Sequence, residues 1–152
     1  MKLRDASHDI TVIERNRADD TFGWGVVLSD ETLANLKDND PVSAEAIQNR
    51  FAYWDDIALV HRGERLVSSG HGFCGIGRRK LLELLQERAV ALGVKLEFET
   101  EIDDIEALCD RHDLVVAADG VNSRVRAHFE AHFRPEVDRR ACKFVWLGTN
   151  QK

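Results

Sequence analysis

Apolar positions along this chain come in short blocks, some continuous and some helically spaced. Ile10–Glu14 (ITVIE) is β-rich and almost wholly apolar up to its last residue. This predicts a buried, parallel-type strand that ends in a carboxylate. Arg15–Gly25 is polar and predicts a loop, followed by the apolar Val26–Leu28. Ser29 is placed to cap a helix, with Asp30 and Glu31 in its positive first turn and Leu33 and Leu36 on its apolar side. Asp38–Pro41 should break that helix, and Ser43 could cap a second short one carrying Ala46 and Ile47. Ile57–His61 and Arg65–Ser69 flank Arg62–Gly63–Glu64, as in a hairpin.

The glycine cluster Ser69–Gly77 (SGHGFCGIG) leads into the clearest helical pattern, Arg78–Leu92. There Leu81, Leu85, Ala89 and Leu92 recur at helical spacing, Leu82 broadens the stripe, and Gly93 stands where a C-terminal cap belongs. Val94–Phe98 alternates like a strand, and Ile102–Cys109 suggests a turn and a short helix. Asp113–Ala118 (DLVVAA) predicts a second buried strand, running into Asp119–Gly120 and a basic stretch to Phe133. Cys142–Leu147 is a last strand candidate. Strands joined through helices predict an α/β layer, and the hairpin predicts an inserted antiparallel element.

Composition narrows the class. The 152 residues carry a formal charge of −6, which disfavours a general nucleic-acid binder, since phosphate binding needs a cationic surface. No apolar run approaches the roughly 18 residues of a membrane helix, and MKLRDASHDI lacks the apolar stretch of a signal peptide. Cys74, Cys109 and Cys142 are odd in number and far apart, as expected of a reducing compartment. The expectation is a cytoplasmic protein without nucleic-acid or membrane partners. Trp24, Tyr53, Trp54 and Trp146 are expected in the core.

Four groups of residues could carry chemistry. Glu14 ends a strand, where nucleotide-binding α/β domains place an acid on a ribose diol; a solvent-facing glutamate is the plainer alternative. In that fold a Gly-rich turn precedes the acid by about 20 residues, whereas only 13 residues precede Glu14 and none is glycine. Either the ribose reading fails or the chain starts late. In Ala118–Arg126 (ADGVNSRVR), Asp119 could hold a polyol or cap a turn, and Gly120 lets backbone approach a phosphate. Arg78 and Arg79 open a helix whose free N–H groups suit an anion such as pyrophosphate. His128 and His132 lie one helical turn apart but lack an evident third ligand, so no metal site is assigned. His71, in the glycine cluster, is a candidate polar group for a pocket.

The order of an acid ending a strand, IGRRKLLELL and DLVVAADGVNSRVR resembles the FAD-dependent aromatic monooxygenases of the single-component hydroxylase type. VVAADGVNSRVR is similar to that family's DG motif, IGRRKLLELL to its arginine-led helix and TVIERN to the end of its second strand. VIERN, FGWGVVLSDETL, FVWLGT and the glycine cluster look closest to the branch that acts on aryl-CoA thioesters. The resemblance implies that Glu14 binds the adenosine ribose of FAD, with Arg15 beside the adenine. It puts Arg78 near the ribose or pyrophosphate, Asp119 at the ribityl or pyrophosphate region, and Gly120 where close approach is needed. It implies reduction of FAD by NAD(P)H, reaction with dioxygen and transfer of one oxygen to an electron-rich ring. It names no catalytic residue.

The implied fold is a partial Rossmann-like FAD-binding domain, a parallel sheet with helices, lacking its first strand and Gly-rich loop. Antiparallel substrate-domain segments are expected at about residues 50–72 and 140–148. The family's later GD motif is not found either, so the expectation is an N- and C-terminally incomplete piece, inactive alone. Other readings stay open: a non-catalytic remnant or interaction module that has lost FAD, another FAD-dependent oxidoreductase, or a plain acidic α/β domain.

Overall fold

A computed structural model describes residues 1–143 and 145. The chain forms two compact units, Met1–Glu99 and Thr100–Lys152. In chain order the first holds β1 (Thr11–Ile13), β2 (Gly25–Ser29), α1 (Asp30–Asn39), α2 (Pro41–Gln48), β3 (Ala52–Trp54), β4 (Ile57–His61), β5 (Glu64–Ser68), β6 (Phe73–Gly77), α3 (Arg78–Ala91) and β7 (Lys95–Glu97). The second holds α4 (Ile105–Asp110), α5 (Arg124–His128) and α6 (Glu130–Phe133). Among the described residues the architecture is mixed α/β, with one parallel pair and two antiparallel sheets.

The core of the first unit lies between the antiparallel sheet β2-β6-β3 and the helices. Val26 pairs opposite Ile76 and Leu28 opposite Cys74, so one face of the sheet carries four apolar side chains. Ile76 and Cys74 join Leu33 of α1 and Ile47 of α2 in a buried cluster, with Leu36, Phe51, Leu81 and Leu84 packed around it. β6, the end of the glycine cluster, lies at the centre of this sheet. Glycine is tolerated there because Trp54 fills the space above Gly75: a Cβ at that residue would stand 2.9 Å from the indole.

The predicted helix ends are largely observed. Ser29 Oγ accepts from the Thr32 N–H at 3.3 Å, with Asp30 and Glu31 in the first turn of α1. Beyond α3, the Gly93 N–H reaches the Val90 carbonyl and the Val94 N–H reaches that of Ala89. This reciprocal pattern requires the positive φ of 76° that Gly93 adopts. Two expectations shift. Asp40, not Ser43, is the N-cap of α2, because Pro41 occupies the first helical position; Ser43 lies inside the helix and donates to Asp40 Oδ2 at 2.6 Å. The buried side of α3 runs through Leu81, Leu84 and Arg88, while Leu85 is exposed. Arg88 turns inward because Asp40 receives it: Nη2 lies 2.9 Å from Oδ1, and Nε lies 3.0 Å from Oδ2.

β1 pairs in parallel with β7, as Ile10–Glu14 predicts, with Val12 opposite Leu96. Its expected full burial is not observed, since Val12 is 48% exposed: a two-stranded sheet leaves one face uncovered. β4 and β5 form the predicted hairpin around Arg62–Gly63, both at positive φ, as a two-residue primed turn requires. Trp24 and Tyr53 are exposed rather than in the core, and Trp54 is only partly covered. Trp146 lies outside the described residues.

In the second unit, Asp104 caps α4 by accepting from the Ala107 N–H at 2.9 Å, and Ile105 is buried. Asp113–Ala118 is not a strand, which corrects the sequence expectation. Leu114 and Val116 are exposed, and no described segment forms a ladder with this stretch. A run of apolar β-branched residues becomes a strand only where neighbours satisfy its backbone and cover both faces. The strand expected at Cys142–Leu147, and most of the segment 140–148, fall on residues only partly described; Phe144 and residues 146–152 lie outside them.

Candidate functional site

Glu14 stands one residue beyond β1, and its N–H donates to the Glu97 carbonyl at 2.8 Å, which extends the parallel ladder. Its side chain is half-buried. Oε1 accepts from the Asn16 N–H at 2.8 Å and from Asn16 Nδ2 at 2.7 Å. The carboxylate is thereby fixed at the strand end by one oxygen, which orients the other. Arg15 is exposed, and among the described residues its guanidinium has no ion-pair partner.

The loop after Glu14 is fastened along α3. Arg79 Nη2 lies 2.8 Å from Asp19 Oδ2, and Gln86 Nε2 donates to the Ala18 carbonyl at 2.8 Å. At the start of α3 the Arg78 N–H donates to the Trp24 carbonyl at 3.2 Å. Gly77, the N-cap, has no side chain to satisfy the first amides of this 14-residue helix. The two arginines divide. Arg79 is engaged by Asp19 and, at 3.8 Å, by Glu83. The Arg78 guanidinium pairs with no carboxylate among the described residues, and it lies over Gly23, 4.0 Å from where a Cβ would be. A cationic fork beside uncapped helix amides suits a phosphate-like anion. Sequence reasoning found Arg78 but missed Asp19, Gln86 and Gly23. Loop contacts of this kind leave no periodic signal, and Gly23, one of the two glycines in TFGWG, is the available hint.

Asp119 and Gly120 belong to the second unit. Asp119 Oδ2 accepts from the Arg124 N–H at 2.7 Å and the Val125 N–H at 3.3 Å. Ser123 caps the same helix by accepting from the Arg126 N–H at 2.9 Å. The Ser123 hydroxyl foremost, and then the backbone amides, hold the Asp119 carboxyl below its usual pKa. Gly120 adopts φ +83°, the turn conformation that favours glycine. The geometry thus gives Asp119 a capping duty within its own turn. Arg124 Nη1 also pairs with Glu101 at 2.6 Å.

The histidines take local roles. His71 is exposed rather than set in a pocket; its Nε2 lies 2.7 Å from Ser68 Oγ and its ring stacks on Phe73. His128 lies 3.3 Å from Glu106 and edge-on to Phe129, while His132 lies edge-on to Phe133. Among the described residues no group of three His, Cys, Asp or Glu stands close enough to hold a metal ion. The cysteines there are free thiols, with Cys74 fully buried. No helix among them is long and apolar enough to cross a membrane.

No protein-family model matches the chain. It is 47% identical over 141 residues to salicyloyl-CoA 5-hydroxylase of a Streptomyces species, covering 93% of this chain and 27% of that protein. It is 34% identical to protodeoxyviolaceinate monooxygenase of Chromobacterium violaceum, covering 93% of this chain and 38% of that one. It is 32% identical to 3-hydroxy-4-methyl-anthranilyl-(aryl-carrier protein) 5-monooxygenase of Streptosporangium sibiricum, covering 94% and 40%. The chain therefore spans less than half the length of the curated relatives it matches. Among solved structures, a variant of 2-methyl-3-hydroxypyridine-5-carboxylic acid oxygenase superposes with a TM-score of 0.56 at 19% identity, covering 66% of this chain and 27% of that one. The tetrameric form of the same oxygenase gives 0.57 over the same shares. At that identity the likeness speaks to the fold alone. Over nearly its whole length, this chain is related to one segment of the aromatic monooxygenases.

Proposed function

We propose that the chain supplies the adenosine and pyrophosphate side of an FAD site, within an incomplete Rossmann-like domain of a monooxygenase that hydroxylates an aromatic substrate. The observation that carries this reading is Arg78: a guanidinium with no carboxylate partner among the described residues, beside the uncapped start of α3. Arg79, one residue on, is already engaged by Asp19. The residues present fit the cofactor's charge. Arg78 and the α3 amides would hold pyrophosphate. Glu14, oriented by Asn16, would accept from the ribose hydroxyls, and Arg15 would lie on the adenine side. Asp119 and Gly120 would serve the ribityl or pyrophosphate region from a turn that Ser123 and the α5 amides keep rigid.

Bound FAD, reduced by NAD(P)H, would supply the oxygen chemistry; the chain's own residues bind, orient and exclude water. The substrate is an electron-rich aromatic, and the relationship to salicyloyl-CoA 5-hydroxylase favours an aryl-CoA thioester. Residues about 50–72 and 140–148 would be substrate-domain segments, and the compartment cytoplasmic. Because the chain spans only part of its relatives, we infer that it does not hydroxylate substrate alone.

ADP is a probe of the adenosine and pyrophosphate half. Titration calorimetry should show that Arg78→Met and Glu14→Gln each weaken ADP by about tenfold, as expected for losing one charged hydrogen-bonding group. Oxygen-electrode traces should show no substrate-dependent uptake. Equal ADP affinity in all three chains, or no ADP binding at all, would overturn the cofactor reading. Substrate-dependent oxygen uptake would overturn the inference of inactivity.

A further inference from the structure

Arg124 opens α5 and is engaged at both ends. Its N–H donates to Asp119 Oδ2 at 2.7 Å, and its Nη1 lies 2.6 Å from Glu101 Oε1. One residue thus links the carboxylate of the Asp119–Gly120 turn to a second carboxylate ahead of α4. A cation in the first turn of a helix opposes the macrodipole, so Arg124 does not serve α5 by itself; Glu101 offsets its charge. Nor can α5 fix its own place. It has five residues, and a helix that short has no independent stability in water. Arg124 and His128 lie one turn apart on the same face of α5. Both reach one neighbouring segment: Arg124 pairs with Glu101, and His128 Nε2 lies 3.3 Å from Glu106 Oε1 in the first turn of α4. Ile105, beside Glu106, is buried, and it lines the cleft between α4 and α5 together with Arg124, Ala127 and His128.

We propose that Glu101 is a positioning residue for Asp119: it holds Arg124, and the Arg124 and Val125 amides hold the Asp119 carboxylate. Glu106, through His128, fixes the far end of α5, so that the helix does not pivot on its first turn. Ser123 ties the turn to the helix, and Glu101 ties the helix to the rest of the unit. The direction of the Asp119 carboxylate is thereby set from outside its own turn. The consequence for FAD rests on the cofactor reading above, which puts Asp119 at the ribityl or pyrophosphate region.

Removing Glu101 has two effects of opposite sign on Asp119. The Ser123 hydroxyl and then the α5 amides lower the Asp119 pKa, so loosening those amides raises it. Loss of a nearby negative charge alone lowers it further. Glu101→Met removes both the charge and the acceptor at an exposed position. Carbon-detected magnetic resonance should then show the Asp119 carboxyl titrating at higher pH than in the wild type. The Val125 amide should lose about threefold in protection against exchange, as expected for an exposed ion pair. Added to Arg124→Met, the same substitution should bring no further rise and no further loss, because the residue through which Glu101 acts is gone. FAD affinity, read by flavin fluorescence, should fall about threefold in Glu101→Met, in step with the amide. An Asp119 pKa that stays or falls in Glu101→Met, or a Val125 amide that exchanges as before, would overturn the proposal. So would an undiminished response in the Arg124→Met background. The full Asp119 response with unchanged FAD affinity would uphold the positioning role and overturn the cofactor reading at Asp119.

Discussion

Asp40 joins three helices, and substituting it should reveal how much of the first unit depends on one carboxylate. It ends α1, begins α2 and receives Arg88 of α3 through both oxygens, at 2.9 to 3.2 Å. Ser43 donates to the same carboxylate at 2.6 Å. The side chains of Arg88 and Asp40 are 21% and 12% exposed, so water screens this pair less than the surface pairs elsewhere. The Arg88 hydrogen bonds foremost, and those of Ser43 after them, lower the Asp40 pKa from 3.8 to about 2, against an opposing desolvation. At about 1.4 kcal/mol per unit, that depression corresponds to about 2 kcal/mol of folding stability at neutral pH.

The folded-state pKa is below the unfolded one. The contribution is therefore complete above about pH 4, near the unfolded carboxyl's value. It is lost as pH falls towards about 2. Asp40→Asn keeps the shape and a carbonyl acceptor for Ser43 but removes the charge. Urea unfolding followed by far-UV circular dichroism should show a loss of about 2 kcal/mol at pH 7, narrowing steadily below about pH 4. A variant within about 0.5 kcal/mol of wild type at pH 7, or a deficit that does not change with pH, would refute the reasoning.

Gly93→Ala should destabilise by about 1 kcal/mol in the same assay, because φ at that position is +76°. Gly75→Val should push Trp54 off the sheet and shift its tryptophan fluorescence to the red, since even a Cβ would stand 2.9 Å from the indole. An unchanged spectrum would show that the ring can give way. Asp119→Asn should speed amide exchange at Arg124 and Val125 at neutral pH. In the wild type the protection of these two amides, measured against their intrinsic exchange rates at each pH, should be lost only as pH falls below the usual carboxylate range, because the Asp119 pKa is lowered.

What could be read in the sequence was local. Ser29 with Asp30 and Glu31 defined the start of α1, and the leucine pattern with Gly93 defined α3, because helix ends and faces are encoded within a few residues. What could not be read depended on distant partners. Glycine-rich Phe73–Gly77 became a central strand because β2 and β3 pair with it and Trp54 fills its missing side-chain volume. The more β-like Asp113–Ala118 did not become a strand, for want of a described neighbour. Leu85 fits a helical stripe as well as Leu84 does, and the side of α3 that turns inward is set by distant partners: the core cluster that Leu81 and Leu84 pack on, and Asp40, which holds Arg88.

The same division holds for the candidate site. Glu14, Arg78 and Asp119 stood out through their settings: a strand end, a helix start and a turn. The contacts that decide what each can do were invisible in sequence. Asn16 orients Glu14, Asp19 occupies Arg79 while Arg78 has no carboxylate partner among the described residues, and the α5 amides engage Asp119.

The most direct test of the cofactor reading is a nuclear magnetic resonance titration of the isotope-labelled chain with FAD, following backbone amides. Arg78 as an anion receptor predicts saturable shifts at Gly77, Arg78 and Arg79 and at Asn16 beside Glu14, all lost in Arg78→Met. Resonances at these positions that stay fixed while FAD is added, or shifts that persist unchanged in Arg78→Met, would contradict it.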